Sequence, residues 1–594
     1  MPTYPIHGIP PPSGGTIPQR REIDDWWDDQ DCAAEHSLFV RALTAFKNLN
    51  PLDEANGKLS YYQIAGIHGM PNQTWDGAPP PVFNPKDQQG GYCAHNLRIW
   101  EIMRSQIADF VVSKEEQDQW YKAADNWRLP YWDWGVEQTY SKKYGVPHLL
   151  TLEKIEILAP GTEFKRNDPT PWNNPLYKFV NPLGVNMGNE KVMGRFRIPN
   201  DEKYPWDKCV GTSRYGIFDS KVEPIPIWIE GVVKNDRVNA ALEGHQWYLN
   251  QAWYGNNEPI KDVVYRLFND NRDKTRKAKS WGEFASTHYN PDSGEVRPPL
   301  GEDFLSLELI HNNIHNWTGG SIMNQKDQGA GHMSDIAVAA FDPIFWLHHS
   351  WTSELTRSWT DYGYQYDDLS FPPNPDGTSA AQTSLEELRK SINKRYGVTR
   401  RRVLDAQQDI AGLKNDYIVN IVYDRFAFNG SPYTIHLFLG QPESNKAIHL
   451  GSVYNFNSRA LAESGACANC EEQRTTQVLS KASVPITTAL LKQAQNEENR
   501  EYGSLHGDST ENYLEKHLTW RVTTPSGPVS AETHIPGLKV FAMKGLADHF
   551  QDDTKLSQFH SYKRIKNATK DKVNGLQPDD DDLAFEPVEE HSEL

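Results

Sequence analysis

His311 and His315 stand one helical turn apart, and the adjacent histidines His348 and His349 follow in a separate segment. Residues i and i+4 of a helix face the same way, so the rings of the first pair can grip one ion. A third imidazole can come from the helix that carries His348 and His349. Three nitrogen donors, with no thiolate and no carboxylate among them, suit copper or zinc. A histidine pair at this spacing is more often structural than metal-binding, so the surrounding segments must decide.

Those donors need helices to hold them. From Leu38 to Leu49 the apolar residues Leu38, Phe39, Ala42, Leu43 and Phe46 recur at helical spacing. Asn96 to Asp125 reads as a second long helix, with Ile99, Met103, Ile107, Phe110 and Val111 in one stripe. Residues 303–316 make the third helix, with the histidine pair, and 341–360 the fourth. Facing helices with donors projecting inward form a bundle-type site. Residues 1–20 are rich in Pro and Gly and read as an irregular arm, and 135–300 as long loops with short helices. Near 415 the pattern changes. Tyr417–Tyr423 alternates, Tyr433–Leu439 follows after Asn429-Gly430, and the two predict a strand pair closing on a turn. Val484–Leu491, Leu518–Val522 and Gly537–Met543 predict further strands or short helices. Asp579–Asp582 reads as a solvated acidic tail.

The 594 residues include 19 Trp and 26 Tyr, enough for a large core. Mean hydropathy is −0.70, and no apolar run approaches the ~20 residues that span a bilayer, so no membrane segment is expected. A net charge of −18 argues against nucleic acid and anionic membrane as partners. Five cysteines, at 32, 93, 209, 467 and 470, are too few and too scattered for a disulfide framework. Met1–Pro5 carries no secretory signal pattern, and the His591–Leu594 terminus is only a faint match to a retention tail. The expected location is intracellular and cytoplasmic.

Two segments then resemble the second copper half-site of the fungal tyrosinases. His-Asn-x-x-His-x-Trp-x-Gly-Gly is matched by His311 through Gly320, and Asp-Pro-x-Phe-Trp-x-His-His by Asp342 through His349. The resemblance makes His349 the third ligand and leaves His348 beside the metal or the substrate pocket. Tyr61–Pro71, with His68, resembles the first ligand segment of the other half-site. Gly90–His95 resembles its second, and in fungal members the cysteine at the position of Cys93 forms a thioether to the imidazole of His95. Such a link would fix the ring and tune its donor strength. Arg128–Trp134 matches the family's Arg-x-Pro-Tyr-Trp-Asp-Trp, read as packing behind the metal helices.

The resemblance implies a mainly α catalytic domain over 1–440, a helical bundle with long loops around a type 3 dicopper centre. A smaller β-rich C-terminal domain over 441–594 would shield it. It implies two copper ions, O2 as co-substrate and small phenols as substrates. Monophenols would be hydroxylated and o-diphenols oxidised to o-quinones, as in pigment formation. Glu308 and Asn312 would hold a water that accepts the phenol's proton; the plain alternative for Glu308 is a helix N-terminal charge. Phe345 would lie above the second copper and screen entry. Cys467 and Cys470 form a Cys-x-x-Cys like that used by fungal relatives in copper uptake, with a copper chaperone as partner; a reducible local disulfide is the alternative. Phe456 is the candidate for the aromatic side chain that plugs latent members.

The chain departs from the family in two places. After His95 the family continues into Trp-His-Arg-Pro-Tyr, whose histidine is a ligand; here Asn96-Leu97-Arg98-Ile99 follows at once, and no histidine occurs until His148. After His349 the family's Asn-Val-Asp-Arg is replaced by Trp351-Thr352-Ser353-Glu354. The alternatives are therefore a catalytically impaired relative, a catechol oxidase and a haemocyanin-like oxygen binder.

Overall fold

The computed structural model describes residues 9–10, 12, 18–70, 94–138, 144–161, 170–200, 205–216, 230–248, 251–254, 259–268, 281–287, 303–320, 330–350, 365–366, 380–405, 414–444, 446–458, 479–496, 502–524 and 526–580. Helix α1 (Ala33–Asn48) buries Leu38, Phe39, Ala42, Leu43 and Phe46, the stripe expected from its spacing. It packs against α2 (Tyr61–Ile67), α3 (Ala94–Ala108) and α4 (Lys114–Asn126).

The single helix expected over Asn96–Asp125 is two. Ser113 accepts a hydrogen bond from the Glu116 N–H and starts α4 afresh, so the chain turns between the helices. Val111, read as part of the apolar stripe, is 99% exposed in that turn. A Ser-x-x-Glu cap overrode the apolar periodicity.

Helix α5 (Leu307–Gly319) begins at Ser306, whose hydroxyl accepts from Leu309 N–H, and ends on Gly320 in the left-handed region at φ +68°. Helix α6 is described over Ile344–His349; the rest of the helix expected to 360 lies outside the described residues. Two short antiparallel pairs, Lys154–Ile157 with Thr170–Asn173 and His245–Tyr248 with Gln251–Tyr254, punctuate the loop-rich middle.

From residue 415 the chain builds two four-stranded sheets. The first contains β1 (Asn415–Asp424), and the second β2 (Tyr433–Leu439) and β3 (Ile448–Asn455). Strand β4 (Leu479–Pro485) joins the first, and β5 (Leu518–Thr524) and β6 (Gly527–Pro528) the second. Strands β7 (Lys539–Asp548) and β8 (Gln558–Arg564) complete the first. The orders are β4-β1-β7-β8 and β6-β5-β2-β3. The expected β1–β2 hairpin does not form: β1 pairs with β4 and β7, and β2 with β3 and β5. Both strands are buried along almost their whole length, so each needs a neighbour on either side. The turn at Asn429-Gly430 carries the chain from one sheet to the other, with Phe428 and Asn429 at positive φ. Both sheets combine strands from either side of residue 440, so a boundary there cuts through them. Hydrogen bonding moves the start of the β-rich part back to 415.

One apolar core runs through the helices and both sheets, with Leu38, Phe39, Ile310 and Ile314 in the same cluster as Val419, Ile435 and Phe456. No helix among the described residues is long and apolar enough to cross a membrane.

Candidate metal centre

Helix α5 presents His311 and His315 on one face, and the last turn of α6 brings His349 to them. The three Nε2 atoms form a triangle with sides of 3.1, 3.2 and 3.3 Å. Nitrogens at this spacing would hold one ion together, since imidazole–metal bonds are about 2 Å long. The opposite nitrogens are anchored. His315 Nδ1 lies 2.9 Å from the Met333 carbonyl, which accepts its proton, and His311 Nδ1 lies 2.9 Å from Asn312 Oδ1. These partners fix the tautomer that leaves Nε2 free to ligate. Burial pushes the pKa of His311 below the ordinary imidazole value, and those of His315 and His349 well below it, so their lone pairs are available at neutral pH. The site's own residues therefore fit a copper-type ion.

His68 caps the C-terminus of α2, and its Nδ1–H donates to the Ile336 carbonyl at 2.9 Å. Its ring lies 5.8 Å from that of His349 and 4.7 Å, edge-on, from that of Phe345. Burial pushes its pKa down to about 4. The approach depends on Gly69, where a Cβ would meet the Ala337 Cα at 2.5 Å. His95 lies in the first turn of α3, but its side chain, Cys93, Cys467 and Cys470 lie outside the described residues, as does Glu354.

Phe345 stacks on His349 with ring centroids 4.0 Å apart and planes 26° apart. Phe456, just past the end of β3, stacks on His315 at 3.9 Å and 16°. The aromatic side chain picked from sequence as a plug thus lies against a predicted ligand. Asn313 on α5 holds that strand: its Nδ2 donates to the Ser452 carbonyl at 2.9 Å, and its Oδ1 accepts from Tyr454 N–H at 3.0 Å. The Arg425 carbonyl accepts from Asn455 Nδ2 at 2.8 Å and Asn457 Nδ2 at 3.0 Å, on either side of Phe456.

Glu308 is more engaged than a free base. Its Oε2 accepts from Ser286 Oγ, Thr287 N and Thr287 Oγ1 at 3.0, 2.8 and 3.1 Å, and its Oε1 lies 3.7 Å from Arg425. Sequence reading missed Asn313, Arg425 and the buried Arg214–Asp342 pair. That pair, at 2.7 and 3.2 Å, anchors the start of α6. The Asp of Asp-Pro-x-Phe-Trp was the available signal for it. Trp346 Nε1 donates to Tyr61 Oη, which donates to the Phe341 carbonyl, tying α6 to the helix of His68. Asp133 of the Trp-Asp-Trp segment accepts from Gly135 N and Tyr396 Oη, and Trp134 lies 5.0 Å from His348.

A helical core with three imidazoles focused on one point, and a phenyl ring of the β-rich part stacked on one of them, is the architecture of a protein built to hold a metal ion by histidine. Residues 58–362 match the common central domain of tyrosinase, and 416–542 the tyrosinase C-terminal domain. A tyrosinase of Aspergillus fumigatus is 33% identical, with 90% of this chain and 91% of that protein covered. Polyphenol oxidase 4 of Agaricus bisporus is 24% identical over 78% of this chain and 75% of its own. The holo-protyrosinase structure of Aspergillus oryzae superposes with a TM-score of 0.68 at 25% identity, covering 98% of this chain and 99% of that one. The chain belongs to the tyrosinase family, whose members are type 3 copper oxidoreductases.

Proposed function

We propose that the chain is a latent tyrosinase, an O2-dependent oxidase that hydroxylates small monophenols at the ortho position and converts o-diphenols to o-quinones. The convergence of the three Nε2 atoms at 3.1–3.3 Å carries this reading. His311, His315 and His349 would hold one ion, and His68 and His95 belong to the site of the other. When bound, a copper pair binds and activates O2 and acidifies the phenol that meets it. The chain supplies the rest. Buried neutral imidazoles keep their lone pairs for the metal. Phe345 walls the pocket and excludes water. Glu308, held by Ser286 and Thr287 through Oε2 and facing Arg425 through Oε1, is the carboxylate that takes the phenolic proton. Phe456 occupies the ground above His315 and keeps phenol out.

A second reading, a catalytically impaired relative, is favoured by one observation: no histidine stands between His95 and His148 to complete the first half-site. Elemental analysis of copper-reconstituted protein, paired with O2 uptake on a phenol and a catechol before and after proteolytic trimming, separates the two. Two coppers per chain with uptake after trimming support the latent oxidase. One copper with no uptake supports the impaired relative, and failure to retain copper overturns both.

A further inference from the structure

His348 is fully buried, and neither of its ring nitrogens meets a hydrogen-bond partner among the described residues. An unmet polar group so deep in a protein calls for an explanation. Its surroundings supply one. The centroid of its ring is 4.7 Å from those of His311 and His315 and 5.0 Å from that of His349. The other three rings are 4.6, 4.8 and 5.6 Å apart, so the four centroids form a nearly regular tetrahedron. One nitrogen from each of the four lies within 4.8 Å of the others. The three converging Nε2 atoms already stand at the spacing of a tetrahedral ion, for which bonds of about 2 Å place neighbouring donors about 3.3 Å apart. Of the four nitrogens only that of His348 stands outside the triangle, within 4.8 Å of the others, and its ring lies stacked at 18° on that of His311.

We propose that His348 is a fourth ligand of this centre, so that a single copper ion can be held by four imidazoles. The proposal rests on the copper reading above. It has a consequence for the ion pair: a centre closed by four protein ligands keeps no position for O2 or phenol, whereas a catalytic centre keeps one open. With the first half-site short of an identified ligand, the chain would then have a stable one-copper state that binds metal without turnover. Entry of the second ion would have to return His348 to its present position.

The test uses the full-length, metal-free chain with one equivalent of copper(II). Pulsed EPR counts the coordinated imidazoles, and competition with a chelator gives the affinity. The wild-type chain should show four imidazoles, and His348→Phe three, with about tenfold weaker binding. Three imidazoles in the wild-type chain would overturn the proposal, as would four persisting in His348→Phe. His348→Gln serves if the larger ring disturbs packing, and the wild-type count decides the matter even without either variant. His311→Ala keeps the two readings apart. If it binds the first equivalent as tightly as the wild type, the centre itself is misassigned, whatever His348 does.

Discussion

The ring of Phe456 lies 3.9 Å from that of His315 and within 16° of parallel to it, so the β-rich part reaches into the metal centre with one side chain. An aromatic contact of this kind is worth about 1 kcal/mol, so Phe456→Ala should tighten the binding of small aromatic pocket ligands by roughly fivefold. A benzoate titration of the copper-loaded protein checks this. Unchanged affinity would mean that Phe456 packs against the site without closing it.

The strand that carries Phe456 is tied to α5 by both ends of the Asn313 amide. Each such bond contributes about 1 kcal/mol net, so Asn313→Ala should loosen the plug without touching a ligand. Amide hydrogen exchange over 450–456 should quicken by about thirtyfold, with some oxidase activity appearing before any proteolysis. Protection equal to the wild type would show that the strand is held by its sheet alone.

His311→Ala, His315→Ala and His349→Ala should each weaken copper retention far more than His348→Ala, because each removes one of the three nitrogens that already stand 3.1–3.3 Å apart. Metal analysis after dialysis reads this directly. His348→Ala should still hold an ion on the remaining three nitrogens, more weakly. Full copper retention in His349→Ala would reassign the third ligand to His348.

Glu308→Gln keeps the shape of the side chain but removes its charge opposite Arg425. If Glu308 takes the phenolic proton, monophenol turnover should fall by about 10²-fold or more while diphenol turnover changes less. Equal loss on both substrates would make Glu308 a fastener between α5, residues 286–287 and Arg425.

The metal-free protein should weaken on acidification. Burial pushes His68 down to about 4 and His332 also to about 4, against 6.5 for a free imidazole. Between those values the unfolded chain binds protons that the folded chain does not, so stability is full above pH ~6.5 and falls progressively toward pH ~4. Denaturant midpoints measured from pH 7.5 to 4.5 test the sign. A flat profile would mean that these rings do not stay neutral in the folded protein.

Much of this site was legible in the linear order of residues. The i, i+4 spacing of His311 and His315 places both on one face of any helix they form, whatever surrounds it. Ser306 and Gly320 bound that helix through local hydrogen bonding and positive φ, both short-range properties. The apolar stripe of α1 was readable for the same reason. Where short-range signals competed, as at Ser113 against the stripe ending at Val111, periodicity misled.

Long-range pairing was decided only in three dimensions. Alternation marked Tyr417–Tyr423 and Tyr433–Leu439 as strands but could not say which strands each would meet. Burial along both strands demanded two neighbours apiece, and those came from residues 448–548. Asn313, Arg425 and Arg214 carry no local signature, because their partners lie far away along the chain; only Asp342, in Asp-Pro-x-Phe-Trp, was marked by its motif. Residue type and the geometry of one turn are enough to name the donors and the helix that holds two of them. That His349 closes the triangle, that Phe456 stacks on it and that His348 lies beside it is set by folding. Those are distances between segments, and no local spacing sets them.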